Sequence, residues 1–248
     1  MGTRRWIQII LLVVMVVAGL RVLLIYHGRH STEPTKEQKA ANAPLNPDYY
    51  VTPKKLHAYD LQSAKELTRQ PAWVKEGYRY PYFPYEGGHT NSKHEAGKLG
   101  PIEKLKIVDV VLEKAPGETF MTPSGAKVKV AQHSLNAIFE KDGKKYSVPI
   151  GIKRGGDYEI YADEMFYYQD PHELYKHWPS SVWQAIEKHE VKPGMSELQA
   201  DFSVGVGYLE NAGASQPRVL KYPNGGRPLV ITYEDGKAIE VKPGQAES

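Results

Sequence analysis

Apolar residues dominate the stretch from Trp6 to Tyr26, WIQIILLVVMVVAGLRVLLIY, whose one charge is Arg21. As a helix at 1.5 Å per residue, this run measures about 31 Å, close to the hydrocarbon thickness of a bilayer. Trp6 and Tyr26 suit the two interfaces, and Arg21 is near enough to the Tyr26 end to snorkel. The pattern predicts a transmembrane helix over 6–26, behind a short tail at 1–5. From 27 to 55 no period persists, and Pro34, Pro44, Pro47 and Pro53 punctuate a polar stretch, which predicts a disordered tether.

Strand signals follow from 56 to 169. Ala72-Trp73-Val74 precedes Gly77, and Ile107–Leu112 is an apolar run of strand length. Asn136–Glu140 and Tyr146–Ile150 flank Asp142-Gly143, a hairpin signal, while Tyr158–Tyr161 follows the turn Gly155-Gly156-Asp157. These predict a small antiparallel β domain, with an SH3-like barrel as one candidate form and Pro149 at an edge or bulge.

At Asp170 the period changes from two to about 3.6. Asp170-Pro171-His172-Glu173 combines an N-cap, Pro at N1 and Glu at N3. Further starts are expected at Ser181-x-x-Gln184 and Ser196-x-x-Gln199. Strand signals then return at Arg218–Tyr222, Leu229–Tyr233 and Ala238–Val241, split by Asn224-Gly225-Gly226 and Glu234-Asp235-Gly236. Residues 170–244 therefore read as helices followed by a three-stranded antiparallel meander, with a tail at 245–248. The predicted fold class is α+β.

The apolar run favours an uncleaved anchor over a secretory signal, because no small-x-small site follows Leu20. Flanking charges do not fix the orientation: Arg4 and Arg5 precede the helix, and Arg29, Lys36 and Lys39 follow it. A short leading tail is easier to leave inside than to export, so the expected topology is N-in, C-out. Net charge is +3, from 32 basic and 29 acidic residues without long runs, which argues against nucleic acid as a partner. Zero cysteines exclude disulfides, Cys-ligated zinc and thiol chemistry.

The segment Val191-Lys192-Pro193-Gly194-Met195-Ser196-Glu197-Leu198-Gln199, the strand Val219–Tyr222 and the closing Ile231-Thr232-Tyr233-Glu234-Asp235-Gly236-Lys237 resemble the SmpA/OmlA family. That family is the small lipoprotein subunit of the outer-membrane β-barrel assembly machine. The resemblance covers under a quarter of the chain. Tyr233 stands where the family has Phe, and no lipidated cysteine exists here. It implies an ααββ-type adaptor fold that binds other proteins, without implying membership of that machine. The region after the tether also resembles uncharacterised single-anchor envelope proteins of acidobacterial type, through Trp73-Val74-Lys75, His94-Glu95-Ala96-Gly97 and Asp170–Pro179.

Candidate chemistry is sparse. His172 and His177 flank a Glu as in HExxH zinc sites, but they are five apart, about 140° off on a helix rather than on one face. His89, His94, Glu95 and His133 are weighed as a metal cluster and rank below solvated loop histidines. No cofactor is expected. The densest aromatic run is Tyr78-Arg79-Tyr80-Pro81-Tyr82-Phe83-Pro84-Tyr85. In an extended chain Tyr78, Tyr80 and Tyr82 share one face, and with Tyr85 they are the candidate binding residues. The competing reading has these rings covering the β domain's own core. No GxSxG elbow is present, and the Gly-Gly pairs read as turns.

The expectation is a single-pass protein of the bacterial inner membrane with periplasmic modules that bind a protein or the cell wall and perform no catalysis. The alternative is a membrane-bound hydrolase or carbohydrate-binding enzyme using the His- and Tyr-rich region 78–95.

Overall fold

The computed structural model describes the backbone of residues 3–30, 46–121, 127–209 and 217–245, and within them the side chains of 12–26, 46–115, 131–209 and 217–245. The chain forms two units, Met1–Tyr49 and Tyr50–Ser248.

In the first unit, α1 (Thr3–His30) is a single helix of 28 residues. Its described side chains, 12–26, are exposed throughout. Among the described residues no helix is long and apolar enough to cross a membrane. Residues 31–45 of the expected tether lie outside the described residues.

The second unit combines helices with antiparallel sheets, the α+β class that the change of period predicts. Its helices are α2 (Leu61–Ala64), α3 (Ala162–Met165), α4 (Pro171–Leu174), α5 (Ser180–Glu187) and α6 (Glu197–Val204). Strands β1 (Ala72–Val74), β5 (Lys104–Leu105) and β10 (Phe166–Tyr167) make a three-stranded sheet in the order β10-β1-β5. A seven-stranded sheet is built from β2 (Pro81–Glu86), β3 (His89–Thr90), β4 (Gly97–Lys98), β6 (Ile107–Met121), β7 (Lys127–Lys141), β8 (Lys144–Arg154) and β9 (Asp157–Ile160). Its order is β3-β2-β8-β7-β6, with β4 beside β2 and β9 beside β8. The Asp142-Gly143 turn joins β7 to β8 with φ of +51° and +72°, the left-handed pair that a two-residue hairpin needs. Strands β6 and β7 each run 15 residues, well past the apolar runs that announce them.

The last sheet has four strands, β11 (Tyr208–Leu209), β12 (Arg218–Tyr222), β13 (Leu229–Glu234) and β14 (Lys237–Pro243), in chain order. The expected meander is β12-β13-β14, and β11 adds an edge that its two residues did not advertise. Capping at Ser196 and Gln199 is reciprocal, as predicted. At α4 the Asp170 carboxylate accepts from the His172 N–H and Pro171 starts the helix. The helix ends after one turn at Leu174, and no capping box closes through Glu173. Helix α5 begins at Ser180 with Pro179 in the N-cap position, two residues before the expected cap Ser181 and without a side-chain cap.

Two hydrophobic cores meet at the small sheet. Ala72, Val74 and Phe166 face the first, with Leu99, Val110, Leu135, Phe139 and Ile150. Trp73 and its cross-strand partner Tyr167 face the second, with Trp178, Trp183, Phe202, Tyr222 and Ile231. Strand β1 thus has the alternation of a strand covered on both faces. In the second core Phe202 lies within 5.1–6.4 Å of the Tyr167, Tyr175, Trp178 and Trp183 rings, several of them edge-on.

The segment 51–58 straps both cores: Val51 packs on the second, Leu56 and Ala58 on the first. Asp163 holds it there, accepting from the Leu56 N–H at 3.0 Å and the His57 N–H at 2.9 Å. Burial pushes the Asp163 carboxyl up, but the lowering effects on it together, these two N–H groups foremost, outweigh burial and hold the group below its ordinary value. Because the folded value is depressed, the stabilisation is present above the unfolded value and is lost as pH falls through the folded one. Asp163→Asn is expected to cost about 1–2 kcal/mol at neutral pH. The same variant should flatten the acid limb of a denaturation series between pH 5 and 2, and an unchanged limb would refute the assignment.

Candidate functional site

The tyrosine run does not form one exposed strip. Tyr78 sits in a turn at φ +62°, before β2 begins at Pro81, so the even spacing of an extended chain is broken there. Its half-buried ring lies over Gly205 and Gly225, in the seam between the first half of the unit and its C-terminal sheet. Tyr80 packs on the first core with its hydroxyl 3.3 Å from Glu76 Oε2. Tyr82 is buried in that core, edge-on to Phe139 at 5.5 Å and Tyr146 at 5.1 Å, beneath the Lys141 ammonium at 5.3 Å. Tyr85 is half-buried, and its hydroxyl is pushed up by burial and by the nearby Glu113 and Asp109.

The histidines are also dispersed. Among the described residues no group of three His, Asp or Glu side chains is placed to hold a metal. His89 is exposed, with Nδ1 3.8 Å from Glu113 Oε1. His172 stacks on Trp183 at 4.0 Å and bonds Asp170 through Nδ1, while His177 lies beyond the end of α4.

Two polar clusters were not legible from spacing. In the first, the Glu113 carboxylate on β6 gathers the Thr90 N–H at 2.8 Å, the Thr90 hydroxyl and the Asn136 amide at 2.6 Å. Ser147, fully buried, lies 2.8 Å from the Thr90 hydroxyl. Three donors on one carboxylate, with every partner satisfied, fasten the β2–β3 hairpin across the sheet. This is a structural latch.

The second cluster surrounds Asp201 on α6. Its carboxyl takes hydrogen bonds from the Gly207 N–H and the Tyr222 hydroxyl, and the latter lies 2.9 Å from the Tyr233 hydroxyl. Oδ1 is buried with no hydrogen-bond partner among the described residues. Burial, then the nearby Glu197, raise this carboxyl to about 7.

A groove of about 500 Å³ lies on the C-terminal sheet. It is lined by the loop His189–Val191, the turn from Asn224 to Leu229, and the end of β14 with Gly244. The loop is fixed from behind: His189 Nδ1 donates to the Ser203 carbonyl at 2.9 Å, and Ser203 Oγ donates to the Glu190 carbonyl at 2.8 Å. Since a carbonyl only accepts, Nδ1 carries the proton in that bond. The turn is held by Asn224, whose amide donates to the Arg227 carbonyl at 3.0 Å. Val191, Leu229 and Val241 supply an apolar wall, and Arg227 an exposed guanidinium.

No protein-family model matches this chain, and no curated protein or solved structure matches it significantly.

Proposed function

We propose that the chain is a membrane-anchored protein of the bacterial envelope that works by binding another protein or the cell wall, without catalysis. The observation that carries this reading is the coupling of an apolar helix, α1, to a separate compact unit. A groove on that unit's C-terminal sheet has the mixed apolar and cationic character of a docking surface. Helix α1 would be the single span of the inner membrane, counted over the apolar run 6–26, of which only 12–26 have described side chains, with Tyr50–Ser248 on the periplasmic side. The order of α5, α6 and the meander agrees with the ααββ adaptor arrangement that the SmpA/OmlA resemblance implies. The seven-stranded sheet, whose end strands β3 and β6 meet through Thr90 and Glu113, supports a small barrel of SH3-like kind. The hydrolase alternative, on the His- and Tyr-rich region 78–95, would gain from a pocket gathering His89, His94 or His133 with carboxylates; among the described residues no such group is placed to hold a metal, and Tyr82 packs inward.

The test combines topology with capture. Spheroplasts treated with protease are expected to lose the folded unit while α1 stays with the membrane. A photo-crosslinker placed at exposed Tyr59, Tyr208 or Arg227 is expected to trap a reproducible envelope partner. A unit protected from protease in spheroplasts, or no adduct from any of the three positions, would sink the reading.

A further inference from the structure

The edge of β14 is half occupied. Gly194 N–H donates to the Ala238 carbonyl at 2.8 Å, Ala238 N–H donates to the Met195 carbonyl at 2.8 Å, and Ser196 bridges Lys237 in antiparallel sense. Residues 194–196 thus act as a short fifth strand beside the start of β14. Upstream, the chain at His189–Val191 becomes one wall of the groove while the end of β14 becomes another. The groove is therefore the vacated continuation of the fifth-strand position.

The ladder alternation says what this edge offers. Gly244 N–H bonds the Pro228 carbonyl at 2.7 Å, and Lys242 and Glu240 pair with Val230 and Thr232. Backbone groups facing β13 recur every second residue, so those of Val241 face outward, into the groove. Pro243 has no N–H to give, which limits pairing to a short length and discourages indiscriminate edge-to-edge association. Charge selects further. Glu190 lies 4.0 Å from Lys192, and Glu240 lies 2.9 Å from Lys242, whereas the Arg227 guanidinium has no ion-pair partner among the described residues.

We propose that the groove takes an extended segment of a partner protein, which pairs with the β14 edge at Val241, seats an apolar side chain against Leu229 and presents a carboxylate to Arg227. This rests on the reading of the chain as a protein-binding module, and it names the surface and the chemistry of what binds there. Backbone pairing supplies affinity, the apolar wall favours a β-branched or aliphatic residue, and the guanidinium favours Asp or Glu nearby.

The test uses the full chain in detergent micelles and two acetylated, amidated heptapeptides, Thr-Val-Glu-Val-Thr-Val-Thr and its Lys-for-Glu counterpart. Amide resonances of 189–191, 227–229 and 239–244 are expected to move with the acidic peptide. Its affinity should exceed that of the basic peptide by about tenfold or more, and Arg227→Glu should invert the order. Shifts elsewhere, equal binding of both peptides, an order unchanged in Arg227→Glu, or self-association of the chain through this edge would each overturn the assignment. If the peptides fail while the crosslinker at Tyr59 or Tyr208 still traps a partner, the groove assignment falls and the binding-module reading stands.

Discussion

Gly205→Ala is expected to lower the stability of the folded unit by about 3–5 kcal/mol, the sum of a backbone and a packing penalty. Gly205 caps α6 with φ +82° and ψ 178°, a region that side chains with a Cβ scarcely enter. A Cβ there would also lie 2.6 Å from the Gly77 carbonyl oxygen and 2.9 Å from the Tyr78 ring. The first neighbour is backbone and cannot swing away. The position matters because this is the seam: the Gly77-Tyr78 turn, hung between the first core and β2, presses on Gly205 and Gly225 of the C-terminal half. For a unit of this size the melting temperature should fall by about 6–20 °C. Calorimetry can separate loss of the seam from loss of a core, since a parted seam would split one transition into two. A shift below about 2 °C would mean that the turn is not held against α6.

That seam marks the limit of what the sequence discloses. Short-range signals were legible: the Asp142-Gly143 and Asp235-Gly236 turns, with positive φ at all four residues, and the Ser196/Gln199 capping box. Each is decided by residues two or three apart, where local chemistry dominates. Tyr78 shows the opposite case. Extended spacing put it on one face with Tyr80 and Tyr82, but a positive φ set by its contact with Gly205, over a hundred residues away, turns it aside. Trp73 and Tyr167 belong to a different core from Ala72 and Phe166, and nothing in a three-residue apolar run reveals two covered faces. The groove was equally hidden, because its walls come from three separate segments, a loop, a turn and a strand end. Its one sequence hint was Asn224-Gly225-Gly226, read correctly as a turn and silent about what the turn encloses.

Asp201→Asn is expected to stabilise the unit at pH 8 by about 3–4 kcal/mol, or about 6–16 °C in melting temperature. The wild-type carboxyl is raised to about 7 by burial, then by Glu197 one helical turn away, with Glu76 adding to the same field. Glu197 is partly answered by Arg218 at 3.2 Å, which leaves the desolvation of Asp201 largely unrelieved. Around it stand Tyr222, which donates to it, and Tyr233 and Tyr167, whose hydroxyls are driven upward partly by its field. In the folded state the carboxyl keeps its proton to about 7, while in the unfolded chain it loses it near its ordinary 3.8. The stabilisation is therefore complete below about pH 4, declines as pH rises, and is gone once pH passes the folded value. An amide in the same place keeps an oxygen for the Gly207 N–H and the Tyr222 hydroxyl and has no charge to desolvate. Wild type should thus lose stability between pH 4 and 8 by an increment that Asp201→Asn does not show, the two curves meeting at the acid end and parting at the alkaline one. Parallel curves across that window would mean that the carboxylate finds compensation in the folded state. If they diverge as expected, the Asp201 carboxyl gives α6 a proton-dependent contribution to stability that is whole below about pH 4, partly spent by pH 5–6 and exhausted above about pH 7.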